Sequence, residues 1–212
     1  LIRMNMTTSR ETILFSDKVN LWLEENLGSF KSRGVVGVPI MMPYVYRENT
    51  GGLIRGLIFS FSLIVIVIGV SLRSFRYGLI SIVPNIVPFV LAYGVLAMFT
   101  HIVTFSHTVS ILISIGLVVD ATIHFLTKFK KANLLGLSKE DAIQYCFKYV
   151  GYPIVIASIC LFCGFLFLLQ SSFQTNVVLG GMCSLIIIIA LFIDLILLPS
   201  LLLLFGKKNE TK

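Results

Sequence analysis

The sequence predicts a mainly α-helical, polytopic membrane protein, with five membrane-spanning helices preceded by a short strand–helix–strand piece. Hydrophobic residues make up 57% of the 212-residue chain and charged residues only 13%, a balance far from that of soluble globular domains. The apolar residues fall in blocks of roughly 20, the length that crosses a hydrocarbon core about 30 Å thick. The basic residues gather at the ends of these blocks, as they do in membrane proteins.

Residues 1–50 contain no such block and are predicted to belong to a domain outside the membrane. Leu1–Met6 and Gly34–Val38 are short apolar runs that predict strands, and the second runs into Pro39. Between them, apolar residues at loose helical spacing predict a helix over Ser9–Leu27. A strand–helix–strand unit of this size is too short to hold a core alone.

Residues 51–206 hold the five predicted spans, and residues 207–212 form a basic tail. The spans are Leu53–Leu72, Tyr77–Phe99, Thr108–Phe129, Val150–Gln170 and Val177–Phe205. Between the third and fourth spans, Ser138 is a predicted N-cap because acidic residues follow it in the first helical turn. We therefore expect a short amphipathic helix near 138–149, lying on the membrane surface.

Lys and Arg are distributed unequally between the two sides of the predicted bundle. Ten lie on one side, whereas the loops at 100–107 and 171–176 on the other side have none. Because basic loops stay in the cytoplasm, the 128–148 loop and the C-terminus are predicted to be cytoplasmic and the N-terminal segment extracytoplasmic. The net charge of +7 therefore reflects membrane orientation, and no pattern for binding nucleic acid is present.

Asp120, near the middle of the third span, has the clearest chemical meaning. An acid at a helix centre costs about 2.5–3.5 kcal/mol of insertion free energy, so it should face a bundle or a hydrated cavity. Gly116 and His124 lie four residues to either side, and Thr127 continues the same helix face. Gly116 would let another backbone approach, and His124 could share a proton with the acid. Asp120 and His124 therefore predict a proton relay; the alternative is a buried polar pair that only fixes packing.

Other polar and helix-breaking residues of the spans are interpreted as mainly structural. Asp194 lies in the cytoplasmic half of the last span and is interpreted as mainly structural. Pro84 and Pro88, with Asn85 between them, indicate either a hinge that lines a cavity or a simple kink.

Smaller features complete this interpretation. Gly164 and Gly180 are expected at close helix contacts, and His101 and His107 are expected to be solvated at an outer loop. The four cysteines are interpreted as packing residues rather than as a metal or redox site: Cys146, Cys160, Cys163 and Cys183. The chain has no phosphate-binding loop, zinc-protease motif or nucleophile elbow, so we expect no enzymatic activity and no cofactor.

The run Gly116-Leu-Val-Val-Asp120-Ala-Thr-Ile-His124-Phe resembles the G-x-x-x-D signature of the resistance–nodulation–division (RND) superfamily, close to its MMPL and Patched-like branch. Other segments match in the same order: Val83-Pro-Asn-Ile-Val-Pro88, Val150-Gly-Tyr-Pro-Ile154, Gly164-Phe165 and Asp194–Pro199. Val36–Pro39 resembles the exit of the family's outer porter domain. The resemblance covers essentially the whole chain, although Ala121 and Ala157 depart from the usual pattern.

This resemblance implies the membrane part of a proton-driven exporter of lipids or other hydrophobic molecules. Asp120 would carry the proton, and the proton-motive force would supply the energy. The family's architecture implies twelve spans in two similar halves, each with a large outer domain, and this chain matches the end of the second half. Residues 1–50 would then be the C-terminal remnant of an outer porter-like domain.

Only one signature acid is present, so we expect a fragment, one subunit of a split transporter, or a decayed remnant. The expected partners are the missing N-terminal half, membrane lipids and a hydrophobic substrate, and a homo-oligomer is left open. The alternative is a non-transporting, sterol-sensing-like or accessory membrane module of a larger complex. The Ile-rich composition, with more Lys than Arg, favours a bacterial inner membrane.

Overall fold

The computed structural model of the protein describes residues 9–26, 37–99 and 103–206. The chain divides into two units, residues 1–56 and 57–212. The part of the chain that the structure describes is helical and contains no strand, so the strand–helix–strand piece is unsupported. The predicted strand Leu1–Met6 lies outside the described residues, and so do residues 34–36 of the second strand.

The described end of the second predicted strand is helical. Gly37 is a bend, and Val38 is the first residue of helix α2, Val38–Ser71. Pro39 is the second residue of α2, where a missing backbone N–H breaks no helical hydrogen bond. The first membrane helix therefore begins well before the predicted Leu53, because a proline after an apolar residue can open a helix as well as end a strand.

The first unit contains helix α1, Ser9–Asn26, and the beginning of α2. The prediction of a helix over Ser9–Leu27 is confirmed for every residue of it that the structure describes. The Tyr44 hydroxyl of α2 donates a hydrogen bond to Asp17 Oδ1 of α1 at 2.9 Å. This contact joins the two helices of the unit.

The second unit contains the rest of α2 and the remaining helices. They are α3 Phe75–Phe99, α4 Phe105–Leu134, α5 Lys139–Cys146, α6 Tyr152–Leu166, α7 Gln174–Phe192 and α8 Leu198–Phe205. α5 runs into α6 and α7 into α8 without a break, so the described residues form five helices long and apolar enough to cross a membrane. The prediction of five spans is confirmed on length and composition.

Each of the two junctions is a π-helical turn that ends two residues before a proline. Phe147–Gly151 precedes Pro153, and Ile193–Leu197 precedes Pro199. A proline has no N–H to donate, and its ring clashes with the carbonyl four residues earlier, which here lies inside the π turn. The wider turn accommodates the proline while the helix continues.

α5 begins where it was predicted but does not end there. The Ser138 hydroxyl accepts a hydrogen bond from the backbone N–H of Asp141 at 3.1 Å, which confirms Ser138 as the N-cap. The helix then continues through the π turn into α6. The separate helix predicted near 138–149 is therefore the first part of the same helical run as the fourth span.

α7 lies at the centre of the second unit and packs against α3, α4 and α6. Gly180 permits part of this packing, since a Cβ added there would lie 2.6 Å from both Leu168 Cβ and the Phe165 carbonyl oxygen. The close helix contact predicted for Gly180 is confirmed. At Gly164 an added Cβ would meet no described atom within 4 Å, so the described residues do not make the close contact that was predicted there.

One end of the second unit brings together the loops that carry basic residues. Lys130 Nζ donates to the Leu72 carbonyl at 2.6 Å, and Lys139 Nζ donates to the Leu203 carbonyl at 2.9 Å. Carbonyls at the C-terminal end of a helix have no partner within the helix, and an ammonium group supplies one. The C-terminal ends of α2, α4 and α8 therefore meet at the same end of the bundle, as alternating membrane crossings require.

Candidate functional site

The structure places Gly116, Asp120, His124 and Thr127 on one exposed face of α4. His124 Nε2 lies 3.5 Å from Asp120 Oδ1, and the two side chains are 63% and 73% exposed within this chain. At this distance a small rotation of either side chain is enough to form a hydrogen bond. The spacing of four residues thus predicted the stripe, and the described part of the chain leaves it uncovered.

Asp120 and His124 border an open groove between α4 and the π-turn–α6 run, with a volume of about 230 Å³. Among the described residues that line the groove, Ser158 is the one further polar side chain, and the others are apolar. The groove is wide enough for water or for part of an apolar molecule. The acid therefore borders an open groove, and the prediction that it faces a bundle or a hydrated cavity stays a prediction.

Gly116 has a different setting from the one predicted. A Cβ added at Gly116 would meet no described atom within 4 Å. No other backbone of the described residues uses the space that this glycine leaves beside Asp120. The close approach expected at Gly116 is therefore not made by any backbone that the structure describes.

The second intramembrane acid, Asp194, is buried at one end of a row of three polar side chains. Asp194 is 2% exposed, Thr122 is 0% and Asn85 is 1%. Thr122 Oγ1 lies 2.9 Å from Asp194 Oδ1 and 3.1 Å from Asn85 Oδ1. We call these three residues the Asn–Thr–Asp cluster. It joins α3, α4 and the π turn before α8.

Sequence reasoning did not single out Thr122. This residue is two positions after Asp120, about 200° further round the helix, so it faces the opposite side of α4. A hydroxyl on the apolar side of a span is the signal that would have found it. It remains weak without knowledge of the residues that α4 packs against.

The candidate hinge of α3 lies beside this cluster. Pro84, Asn85 and Pro88 are all buried, and α3 runs through them as one α-helix. Each proline leaves the carbonyl four residues earlier without an N–H partner, and this loosens the helix locally. Asn85 thus places one end of the cluster in the proline-containing segment of α3.

His107 corrects one prediction. Its side chain is 6% exposed rather than solvated, and its Nδ1 accepts a hydrogen bond from the Thr104 backbone N–H at 2.9 Å. The Tyr93 hydroxyl donates to the His107 backbone carbonyl. His107 therefore caps the start of α4, because the third residue of a helix can reach back to the free N–H of the cap. His101 lies outside the described residues.

The cysteines occupy two environments. Cys146 and Cys183 are buried, in agreement with a packing role, whereas Cys160 and Cys163 face outward from α6. Among the residues that the structure describes, no three His, Cys, Asp or Glu side chains are placed to hold a metal ion.

The fold and these sites define a multi-pass helical membrane protein with ionisable groups inside its spans. A sequence profile of the MMPL family matches residues 34–212, the greater part of the chain. The chain belongs to the MMPL family, and it is consistent with membership of the wider RND superfamily. A comparison with curated protein sequences gave no match.

Proposed function

We propose that this chain is the membrane part of a proton-driven exporter of lipids or other hydrophobic molecules, and that Asp120 takes up and releases the proton. One observation carries the proposal: an Asp–His pair, 3.5 Å apart, on an uncovered face of a membrane-spanning helix, beside an open groove. His124 can hold the proton next to Asp120, because an imidazole nitrogen can accept a proton and give it back. The chain needs no cofactor and no enzymatic step, because the proton-motive force drives transport.

The uncovered stripe of α4 indicates what completes the site. A charged residue that faces lipid at the helix centre costs about 2.5–3.5 kcal/mol of insertion free energy. Contact of Asp120 with protein or water is therefore favoured over contact with lipid. The open space at Gly116 admits a second helix backbone beside Asp120. In our proposal this cover is the N-terminal half of the same transporter, supplied within a longer chain or by a separate subunit. A second acid on that half would then face Asp120.

The proposed orientation follows from the basic end of the bundle. That end carries Lys130 and Lys139, and short basic loops remain in the cytoplasm. We propose a multi-pass protein of the bacterial inner membrane with a cytoplasmic C-terminus and an extracytoplasmic N-terminal segment. Its hydrophobic substrate reaches the groove from the membrane, and its other partners are membrane lipids and further copies or halves of the transporter.

A second candidate function is a non-transporting, sterol-sensing-like or accessory module. The observation that favours it is that Asp120 has no acid facing it among the described residues; its partner is His124. A module of this kind would use the stripe of α4 only to bind another membrane protein. It would require no proton uptake at Asp120.

The experiment that decides between them compares Asp120→Asn with wild type in the complete protein, reconstituted in lipid vesicles with an imposed pH gradient. Asparagine keeps the shape of the acid but cannot ionise. Glu140→Gln is the matched control, because it also replaces a carboxylate by an amide, at an exposed position of α5. Proton flux and export of a fluorescent lipid are measured together.

We expect Asp120→Asn to abolish proton-linked export while the protein still inserts and purifies as wild type does. Glu140→Gln should transport normally. Unchanged export in Asp120→Asn would overturn the proposal and favour the accessory module. His124→Gln should retain some export, because histidine assists the proton without being its final carrier.

A further inference from the structure

The Asn–Thr–Asp cluster contains one hydroxyl hydrogen between two oxygen acceptors. Thr122 Oγ1 can donate to Asp194 Oδ1 or to Asn85 Oδ1, but not to both at once. Two arrangements keep both contacts of the Thr122 oxygen as hydrogen bonds. In the first, a protonated Asp194 donates to Thr122, and Thr122 donates to Asn85. In the second, Thr122 donates to ionised Asp194, and Asn85 turns its amide to donate to Thr122.

These two arrangements differ by one proton on Asp194 and by the orientation of the Asn85 amide. Buried polar groups that lose a partner cost about 1–3 kcal/mol each, so both states avoid this penalty only if the amide turns with the proton. The cluster therefore has a hydrogen-bonded form for either charge of the acid. A purely structural carboxyl would require only one.

No basic side chain is paired with Asp194 in the described part of the chain. Thr122 of α4 contacts Asp194 directly, and Asn85 of α3 is joined to it through Thr122. The other described side chains that line a small cavity beside Asp194 carry no charge. Asp120 and His124 of α4 lie on the opposite, exposed face of that helix. An ion pair does not hold Asp194 in one charge state, so its proton is free to leave if a path exists.

A small cavity provides such a path. It has a volume of about 20 Å³, is lined by Asp194, and lies between α4, α6 and α7. A site needs roughly 10–15 Å³ to hold one water molecule, so this cavity fits a single water. Four residues line both this cavity and the groove that contains Asp120 and His124: Leu117, Ala121, Ser158 and Leu161. The Ser158 hydroxyl gives that water a polar partner on the way.

We propose that Asp194 is a second proton-binding site, connected to the Asp120 groove through the water-sized cavity behind Ala121 and Ser158. The proton passes between the groove and Asp194 by way of this water. When Asp194 binds the proton, the Asn85 amide turns, and this change lies in the proline-containing segment of α3. The inference deepens the proposed function and rests on it for the use of the proton in transport. The binding of a proton at Asp194 is tested independently of transport.

The test is infrared difference spectroscopy on the complete protein in lipid, between an acidic and an alkaline pH, with aspartate carrying carbon-13 in its carboxyl group. We expect a carbonyl-stretch band of a protonated carboxyl that shifts with the label. The band should persist in Asp120→Asn, vanish in Asp194→Asn, and change frequency in Thr122→Val because the hydrogen-bond partner is lost. Glu140→Gln should leave it unchanged.

The inference would be overturned if no carbonyl band of labelled aspartate changed its frequency in Thr122→Val. This comparison does not depend on Asp194→Asn folding, since Asp194 is intact in Thr122→Val. Failure of the proposed function would be seen in a different measurement. Export would then continue in Asp120→Asn, whether or not the Asp194 band is observed.

The path is tested by Ala121→Val, which adds two methyl groups in the wall shared by the groove and the cavity. After a rapid change of pH, the Asp194 band should appear more slowly than in wild type, with its final amplitude unchanged. Ala157→Val is the matched control, because Ala157 lines the groove but not the small cavity. Equal rates in Ala121→Val and wild type would show that the proton reaches Asp194 by another route.

Discussion

Asp120 and Asp194 are the same residue type in neighbouring parts of one bundle, and their environments separate their roles. Asp120 lies on a helix face that the described residues leave uncovered, with a histidine beside it. Asp194 lies inside the bundle, and its partner is the Thr122 hydroxyl, which also contacts the Asn85 amide. In our proposal, a carboxyl of the first kind exchanges protons with the groove directly, and one of the second kind does so through an ordered water.

Thr122→Val should lower the stability of the protein, because valine keeps the shape of threonine but removes the hydroxyl between Asn85 and Asp194. The loss leaves buried polar groups without a partner, at about 1–3 kcal/mol in the free energy of unfolding. The measurement is unfolding in mixed detergent micelles. Thr127→Val, the same change on the exposed stripe of α4, should stay within about 0.5 kcal/mol. Equal losses in the two variants would mean that the cluster contributes nothing to stability.

The stripe of α4 was predictable at the residue scale, whereas the cluster was not. Residues spaced by four always share a helix face, so Gly116, Asp120 and His124 required no knowledge of other helices. Asp194 meets Thr122 across 72 positions of sequence, and such a pairing depends on how α4 and α7 pack. His107 was misread for a related reason: proximity to a loop predicted solvent, but the capping of α4 buries its ring.

The helices themselves show which boundaries a sequence determines. Ser138 set the start of α5 because an N-cap is a local hydrogen bond, and it was predicted correctly. The end of α5 and the start of α2 were placed wrongly, since both depend on a proline. At Pro153 a π turn carries the helix onward, and at Pro39 the helix begins. A proline restricts the backbone conformation, but it does not determine whether a helix begins there or continues through a π turn.

Gly180→Ala should destabilise the contact between α7 and the end of α6. The added Cβ would lie 2.6 Å from a backbone oxygen, and that oxygen cannot move aside without shifting the helix. Overpacking of this kind costs about 1–3 kcal/mol, more than the gain of up to about 1 kcal/mol from replacing a helical glycine. The thermal unfolding midpoint in detergent should fall. In Gly164→Ala, where no described atom is within 4 Å, it should hold or rise; a fall there would point to a partner that covers α6.

At the scale of the whole molecule, the alternating helices and the basic end together define a topology that can be measured. Leu135 follows α4 at the basic end, and Ser172 lies in the opposite loop before α7. Both are exposed, so a cysteine at either position should react with a membrane-impermeant maleimide on the side of the membrane where it lies. Wild type, whose four cysteines lie in or beside the spans, gives the background.

Ser172→Cys should be modified in intact cells, and Leu135→Cys only in inside-out vesicles or after permeabilisation. The physical reason is that lysines beside the membrane are retained in the cytoplasm, and Lys130 and Lys139 are additionally fixed on carbonyls at helix ends. The reverse labelling pattern would place the basic end of the bundle outside the cytoplasm, and the proposed direction of proton movement would be reversed. Modification of both positions in intact cells would mean that the five helices do not cross the membrane alternately. With the expected pattern, the groove beside Asp120 lies partway along a helix whose two ends face compartments of different pH, which is the arrangement that a proton-driven exporter requires.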